Sequence, residues 1–203
     1  MVDEILVVDS GSTDRTREIC KKEGVRVILD RKIAKELNLS LKRGKGWNLW
    51  SSVYYLNTDV ILWVDSDIKN FHERFILGLI GPFLVDKKIK FIKGYYERPK
   101  KDGRVTELVV KPLINFVFPE LKKFIQPLSG EYGGRKEFLE KIEFYSGYSV
   151  EIALLIQAIL YLKEDEIGQV YLKKRIHKLQ DISALRRMSG SIIYTLFEFG
   201  KKL

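Results

Sequence analysis

Two carboxylates one residue apart, Asp65 and Asp67 on either side of Ser66, end the apolar run Ile61-Leu62-Trp63-Val64. The run reads as a buried strand. A strand that stops on two acids delivers them to the edge of a sheet, because bare anions do not stay buried unpaired. A cation belongs there. In an α/β protein ligands bind outside the carboxyl ends of parallel strands, so the natural occupant is a divalent cation holding a phosphate-bearing substrate. Asp-x-Asp alone is a weak signal, since acids at this spacing occur in many loops.

Other residues carry chemistry of the same kind. In Asp9-Ser10-Gly11-Ser12-Thr13-Asp14-Arg15-Thr16, Gly11 permits a sharp turn and Ser12 or Thr13 can cap the helix that follows. Asp9 and Ser10 are then left facing the crevice, placed to bind a nucleoside, although an ordinary turn rich in capping residues has the same composition. Gly44-Lys45-Gly46 opens a helix, which puts Lys45 either where a cation reaches a diphosphate or simply in solvent. Glu151 starts the most apolar helix, where an unpaired carboxylate is costly and needs a partner, unless it only complements the helix dipole. His177, after a basic strand, is a metal ligand or a surface histidine.

The elements that must position these residues alternate. Residues 4–8 read as a strand, 13–23 as a helix, 25–29 as a strand, 46–55 as a helix and 60–64 as the acidic strand. Residues 71–84 read as a helix closing at Gly81-Pro82, 89–95 as a strand and 98–103 as a charged turn. A mostly helical stretch over 105–118 contains Pro112, and a short strand over 125–128 and a helix over 136–142 follow. Then come an apolar helix over 150–162, a strand over 167–173 and a helical tail over 182–199 with Leu185, Met188, Ile192, Leu196 and Phe199 on one face. The order is that of an α/β fold, with no internal repeat or low-complexity linker.

Composition narrows the classes. At 203 residues the chain fits one domain with an appendage. The single cysteine, Cys20, excludes a disulfide framework and reads as a buried inert thiol suited to a reducing cytosol. Residues 1–20 lack the order of a signal peptide, and the apolar segment 150–162 is too short to span a bilayer, so a soluble, cytoplasmic protein without stable membrane insertion is expected. A net charge of +9 and a pI near 9.4 favour anionic partners. A nucleic-acid module fits the charge but not the acids at the strand end, and no RNA-binding aromatic signature is present.

Taken together, Asp9-Ser10-Gly11-Ser12-Thr13-Asp14, Gly44-Lys45-Gly46 with Leu49-Trp50, and Asp65-Ser66-Asp67 resemble the donor-binding half of a GT-A glycosyltransferase. More narrowly, Gly103-Arg104-Val105-Thr106-Glu107-Leu108 with Pro112-Leu113, Gln126 through Tyr132, Gly147-Tyr148-Ser149-Val150-Glu151-Ile152 and Arg175-Ile176-His177 resemble the glucosyl-3-phosphoglycerate synthases. The order and spacing match from Val2 almost to the C-terminus. The resemblance implies an α/β, GT-A (Rossmann-like nucleotide-sugar-binding) fold with a mixed, mostly parallel sheet flanked by helices. It implies one domain overall, with a donor part over 1–95 and an acceptor part plus C-terminal helix over 96–203.

The implied activity is a retaining transfer of a hexose, glucose by the resemblance, from a nucleotide sugar (UDP- or GDP-glucose) to the 2-hydroxyl of 3-phosphoglycerate with Mg²⁺ or Mn²⁺. Residue by residue, the resemblance gives the metal to Asp67 and His177, with Asp65 and Ser66 beside it on the nucleotide. It gives the nucleotide portion to Asp9, Ser10 and Lys45, and the diphosphate to Arg175. Gly103, Arg104 and Thr106 receive the acceptor, and Tyr148 and Glu151 face the sugar. A divalent ion with Lys45 and Arg175 would neutralise the leaving diphosphate, and Arg104 suits an acceptor carrying phosphate and carboxylate.

Two departures from the family pattern stand out. Family members begin with a strand carrying a Pro-Ala-Leu-Asn-Glu-like segment that grips the base, and this sequence starts after it. Either the start is truncated, or the sheet lacks a strand and another subunit, as in a homodimer, covers the edge. After His177, Lys178-Leu179-Gln180-Asp181 replaces an Arg-Asn-Arg-Pro-like run, and Leu179 cannot supply an asparagine's hydrogen bonds. Two other readings stay open: an inverting lipid-phosphate (dolichol-type) glycosyltransferase whose basic tail, near Arg186, Arg187, Lys201 and Lys202, lies on a membrane, and a non-catalytic, truncated sugar-nucleotide-binding subunit.

Overall fold

Strand and helix alternate through the first half of the chain in the expected order: β1 (Leu6–Asp9), α1 (Thr16–Lys22), β2 (Arg26–Leu29), α2 (Asp30–Glu36), α3 (Lys45–Tyr55), β3 (Val60–Trp63), α4 (Arg74–Val85) and β4 (Phe91–Glu97). The second half adds α5 (Lys111–Val117), β5 (Tyr132–Arg135), α6 (Lys136–Leu139), α7 (Val150–Tyr161), β6 (Ile167–Lys174) and α8 (Ile182–Gly200). This is a computed structural model, and it describes residues 2–41, 44–99, 102–177 and 180–201.

Among the described residues the strands form two sheets. β1 and β2 pair in parallel, from Leu6 opposite Arg26 to Asp9 opposite Leu29. The second sheet has the order β3-β5-β4-β6. β5 runs antiparallel to both its neighbours, whereas β4 and β6 are parallel. Because β5 is reversed, its first residue, Tyr132, stands opposite Trp63 at the end of β3 and Lys93 in β4. The start of β5 therefore joins the strand ends where Asp65 and Arg175 emerge. β5 comes from the second half of the chain and lies between two strands of the first, so the halves share one sheet.

The short strand expected over 125–128 is a turn, and the true strand lies at Tyr132–Arg135. Gly133-Gly134 conceals it, since glycine carries little strand propensity. Here glycine serves close strand packing: a Cβ on Gly133 would lie 2.7 Å from the Ile61 carbonyl oxygen. The helix expected over 71–84 spans Arg74–Val85 and passes through Gly81-Pro82 rather than closing on it. Pro82 gives up only its own N–H, the Asp86 N–H still reaches the Pro82 carbonyl at 2.9 Å, and Phe75, Leu79 and Phe83 stay buried along one stripe. α2 has no counterpart in the expected elements, because Ile33 and Ala34 are its only buried apolar residues. Before α5 the backbone widens into a π-helical stretch, Thr106–Val110, closed by the Lys111 N–H on the Thr106 carbonyl.

The main core lies on one face of the larger sheet. Every residue of α7 from Val150 to Ala158 is buried, and each of its valine, leucine and isoleucine side chains contributes about 1.5–3 kcal/mol. Its two polar members need partners. Gln157 finds them in Glu143, accepting from its N–H and donating to its carbonyl, both at 2.8 Å. Ile192, Leu196 and Phe199 of α8 are buried in the same core and Leu185 and Met188 pack against it, so the amphipathic face of the tail is turned to the protein. α4 covers the other face with Phe75, Leu79 and Phe83 against Ile92 and Leu172. A small third cluster, Ile33, Ala34 and Trp47, joins α2 to α3. Cys20 is partly exposed rather than buried. No described helix is long and apolar enough to cross a membrane.

Candidate active site

The carboxyl ends of β3 and β6, the start of β5, the first turns of α3 and α7 and the loop ahead of α5 surround one cavity of about 300 Å³. Lys45, Asp65, Ser66, Asp67, Gly103, Arg104, Thr106, Tyr148, Glu151, Arg175 and His177 all line it. Asp9 and Ser10 do not. Asp9 is 3% exposed and turned into its own loop, where Oδ1 accepts from the Ser12 N–H at 2.8 Å and the Ser12 hydroxyl at 2.5 Å, and Arg17 faces Oδ2 at 3.5 Å. An aspartate ahead of a glycine turn has nearby backbone donors to satisfy before any distant ligand. Ser12 therefore serves Asp9 rather than capping α1, and Asp14 accepts from the Thr16 N–H instead. Ser10 is hydrogen-bonded to Asn48 of α3.

At the centre is an ionic chain. Lys45, the first residue of α3, places Nζ 2.6 Å from Asp65 Oδ1 and 2.6 Å from Glu151 Oε1. Glu151 thus has the partner that its place on an apolar helix demands. Arg175 continues the chain, reaching Asp65 at 2.9 Å, Asp67 at 3.3 Å and the fully buried Glu131 at 3.0 Å. A glycine at position 130 is required here, because a Cβ would fall within 2.0 Å of Asp65 Oδ2. Burial opposes the charge on Lys45, yet Glu151, Tyr132 and Asp65 push its pKa well above the ordinary lysine value. Burial likewise opposes ionised Asp65, but Lys45 and Arg175 hold its pKa below the usual carboxylate value. Glu131 goes the other way, raised by burial and by neighbouring Asp65.

The opposite wall is basic. Gly103, with φ of +71°, turns the chain so that Arg104 and Thr106 face the cavity, and Arg104 donates to the Gln180 carbonyl at 3.1 Å. Lys178 and Leu179 lie outside the described residues. Arg98 lines the same wall beside Thr106, its guanidinium 5.0 Å from the centre of the Tyr96 ring, and the Arg175 guanidinium is 5.2 Å from that ring.

Asp67 and His177 stand on two segments tied together next to them. The Lys69 N–H donates to the Ile176 carbonyl at 2.8 Å, the Ile176 N–H donates to Asn70 Oδ1 at 2.7 Å, and Asn70 Nδ2 donates to the Lys174 carbonyl at 2.8 Å. His177 Nδ1 lies 3.4 Å from Asp102 Oδ2, leaving Nε2 as the nitrogen that could face a metal. Among the described residues no three His, Cys, Asp or Glu side chains group as a metal cage. One carboxylate and one imidazole therefore fit an ion that takes its remaining ligands from substrate oxygens and water, a donor set better suited to Mn²⁺ than to Mg²⁺.

Sequence reasoning gave no role to Lys93, Tyr96, Arg98, Asp102 or Glu131. For Lys93 a signal existed, a lysine inside Phe91-Ile92-Lys93-Gly94-Tyr95-Tyr96, a strand buried on both faces. Asp102 and Arg98 sat in a charged turn, where nothing local distinguishes them from solvated charges.

The strand ends, the acids upon them and the helix-start lysine define a GT-A architecture, and the chain belongs to glycosyl transferase family 2, whose sequence model matches residues 1–134. It is 46% identical over 214 residues to the glucosyl-3-phosphoglycerate synthase of Petrotoga mobilis, covering 99% of this chain and 65% of the relative. A crystal structure of the Mycobacterium tuberculosis glucosyl-3-phosphoglycerate synthase with Mn²⁺, UDP-glucose and phosphoglyceric acid matches with a TM-score of 0.93 at 40% identity, over 98% of this chain and 70% of that one. The same enzyme with Mn²⁺, UDP and glucosyl-3-phosphoglycerate matches with a TM-score of 0.91 at 40% identity, over 97% of this chain and 68% of that one. The chain thus spans about 65% of the length of the curated relative it resembles.

Proposed function

We propose that this chain is a retaining, metal-dependent glycosyltransferase that moves glucose from UDP-glucose to the 2-hydroxyl of 3-phosphoglycerate, yielding glucosyl-3-phosphoglycerate. The observation that carries the reading is Lys45 bridging Asp65 and Glu151 at 2.6 Å each, in one cavity with Arg175 and the Gly103–Thr106 wall. The relatives crystallised with UDP-glucose, phosphoglyceric acid and Mn²⁺ support the choice of substrates and ion. Functionally, residues 1–95 form the donor part, and 96–203 form the acceptor part and also lend Tyr148, Glu151, Arg175 and His177 to the donor side.

Each residue has a defined task in this reading. Asp65 and Ser66 border the nucleotide, with Ser10 beyond them at the end of β1. Lys45 and Arg175 shield the negative charge that grows on the departing diphosphate. Asp67 and His177 hold the divalent ion, which when bound supplies further charge neutralisation at that diphosphate. Arg104 grips the acceptor's anionic groups in a bidentate manner, with the Gly103 turn and the Thr106 hydroxyl beside it. Glu151 and Tyr148 orient the hexose. The bond between the anomeric carbon and the diphosphate oxygen breaks as the acceptor oxygen bonds to that carbon from the same face. The hydroxyl proton passes to the departing phosphate oxygen, and no protein nucleophile is required.

The test pairs UDP- and GDP-linked glucose and mannose with 3-phosphoglycerate and Mn²⁺ or Mg²⁺, followed by mass and anomer analysis. An α-linked glucosyl product from UDP-glucose is expected. An inverted product supports the lipid-phosphate class instead, and calorimetric binding of nucleotide sugar without turnover supports a binding subunit. A cytoplasmic site and a homodimer complete the proposal, the latter supported by the edges that β1 and β3 leave unpaired among the described residues. Light scattering in solution checks the dimer.

A further inference from the structure

Lys93 is a buried cation whose role none of the assignments above explains. Its side chain is 1% exposed and its Nζ has no hydrogen-bond partner among the described residues, lying 4.2 Å from the centre of the Tyr132 ring. It shares a face of β4 with Phe91, part of the core that α7 fills. The acids that attract it are Glu151 from α7, Glu131 ahead of β5 and Asp65 after β3, while Lys45 of α3 repels it. Opposite it on β6 stands the uncharged Gln169, whose side chain is engaged by Ile125 and Lys123. Burial outweighs the acids and brings its pKa down to about 7. A methionine would fill the same space without that cost, so the position calls for charge.

Glu151 explains why. Its one ion-pair partner among the described residues is Lys45, which it shares with Asp65. In the glycosyl-transfer reading, on which this inference rests, Lys45 turns to the donor diphosphate and Glu151 is left 7% exposed without a partner. We propose that Lys93 is a positioning residue whose ammonium holds the Glu151 carboxylate turned to the transferred sugar once Lys45 leaves it for the diphosphate.

The experiment compares wild type, Lys93→Met, Glu151→Gln and the double variant of the whole chain. Its first arm, melting temperature against pH, needs no substrate. A lysine whose pKa falls from 10.5 unfolded to about 7 folded destabilises the fold fully below pH 7, and the cost fades as pH rises to 10.5. Lys93→Met is therefore expected to raise the melting temperature most at about pH 6 and least near pH 10. The gain should be larger in the Glu151→Gln background, where the charge has lost its counter-ion. Equal gains in both backgrounds, or a gain independent of pH, would overturn the proposal.

The second arm is kinetic. With UDP-glucose, 3-phosphoglycerate and Mn²⁺, Lys93→Met should lower kcat about tenfold or more with both KM values within about threefold, and should change the Glu151→Gln rate by less than about twofold. Rate losses that multiply, or an unchanged kcat, refute it. If wild type transfers no glucose, the assignment of function fails, while the melting comparison still judges the coupling of Lys93 to Glu151. Lys93→Gln carries the same comparisons if the methionine variant does not fold.

Discussion

Asp67 and His177 approach the cavity from distant parts of the chain, and each arrives with a different second partner. Asp67 shares Arg175 with Asp65 and Glu131, whereas His177 faces Asp102. In the proposed role, metal binding would compete with Arg175 for Asp67, while His177 would keep Asp102 behind it. Asp67→Ala and His177→Ala are each expected to abolish Mn²⁺-dependent transfer and to weaken Mn²⁺ binding, followed by electron paramagnetic resonance in the presence of UDP. Unchanged rates in both variants would remove the metal assignment. On the opposite wall, Arg104→Lys keeps the charge but loses the planar fork, so the KM for 3-phosphoglycerate should rise about tenfold. An effect confined to the donor would mean that the two pockets are reversed.

Elements, rather than single side chains, set the spacing of Asp67 and His177. The turn after β3 and the segment after β6 are fastened by Asn70, which accepts from the Ile176 N–H and donates to the Lys174 carbonyl, while the Arg74 guanidinium at the start of α4 donates to the Leu172 carbonyl at 3.2 Å. Asn70→Ala removes both of these solvent-exposed bonds, a loss of about 0.5–1.5 kcal/mol. It should weaken Mn²⁺ binding about tenfold or more while the acceptor KM stays within about twofold. Equal weakening of metal and acceptor would show a general loosening instead. α3 is held just as closely at its start: a Cβ on Gly46 would lie within 1.7 Å of the Tyr145 carbonyl oxygen, so the helix that aims Lys45 rests directly on the backbone ahead of α7.

The whole molecule carries a net charge of +9, and both proposed substrates are anions that must enter a cleft already holding Lys45, Arg98, Arg104 and Arg175. Raising ionic strength from about 0.1 M to about 1 M shortens the screening length from about 10 Å to about 3 Å. Both KM values should therefore rise severalfold in steady-state assays, with kcat altered much less. KM values indifferent to salt would show that the positive charge serves something other than these substrates.

The alternation of strand and helix, the acids closing β3, the lysine opening α3 and the apolar α7 with its stranded glutamate were all legible in the amino-acid sequence. They are local features, written in periodicity, turn residues and the cost of burying a charge. Tertiary structure alone decided the rest. β5 hides behind two glycines, and its place between β3 and β4 depends on pairing across long stretches of chain. Asp9 turns away from the cavity because nearer donors claim it, and Lys93, Glu131 and Asp102 acquire meaning only through charges brought beside them from other elements. Local pattern states what a segment can become, whereas ion pairing and burial depend on which segments meet, and that follows from the packing of the whole fold.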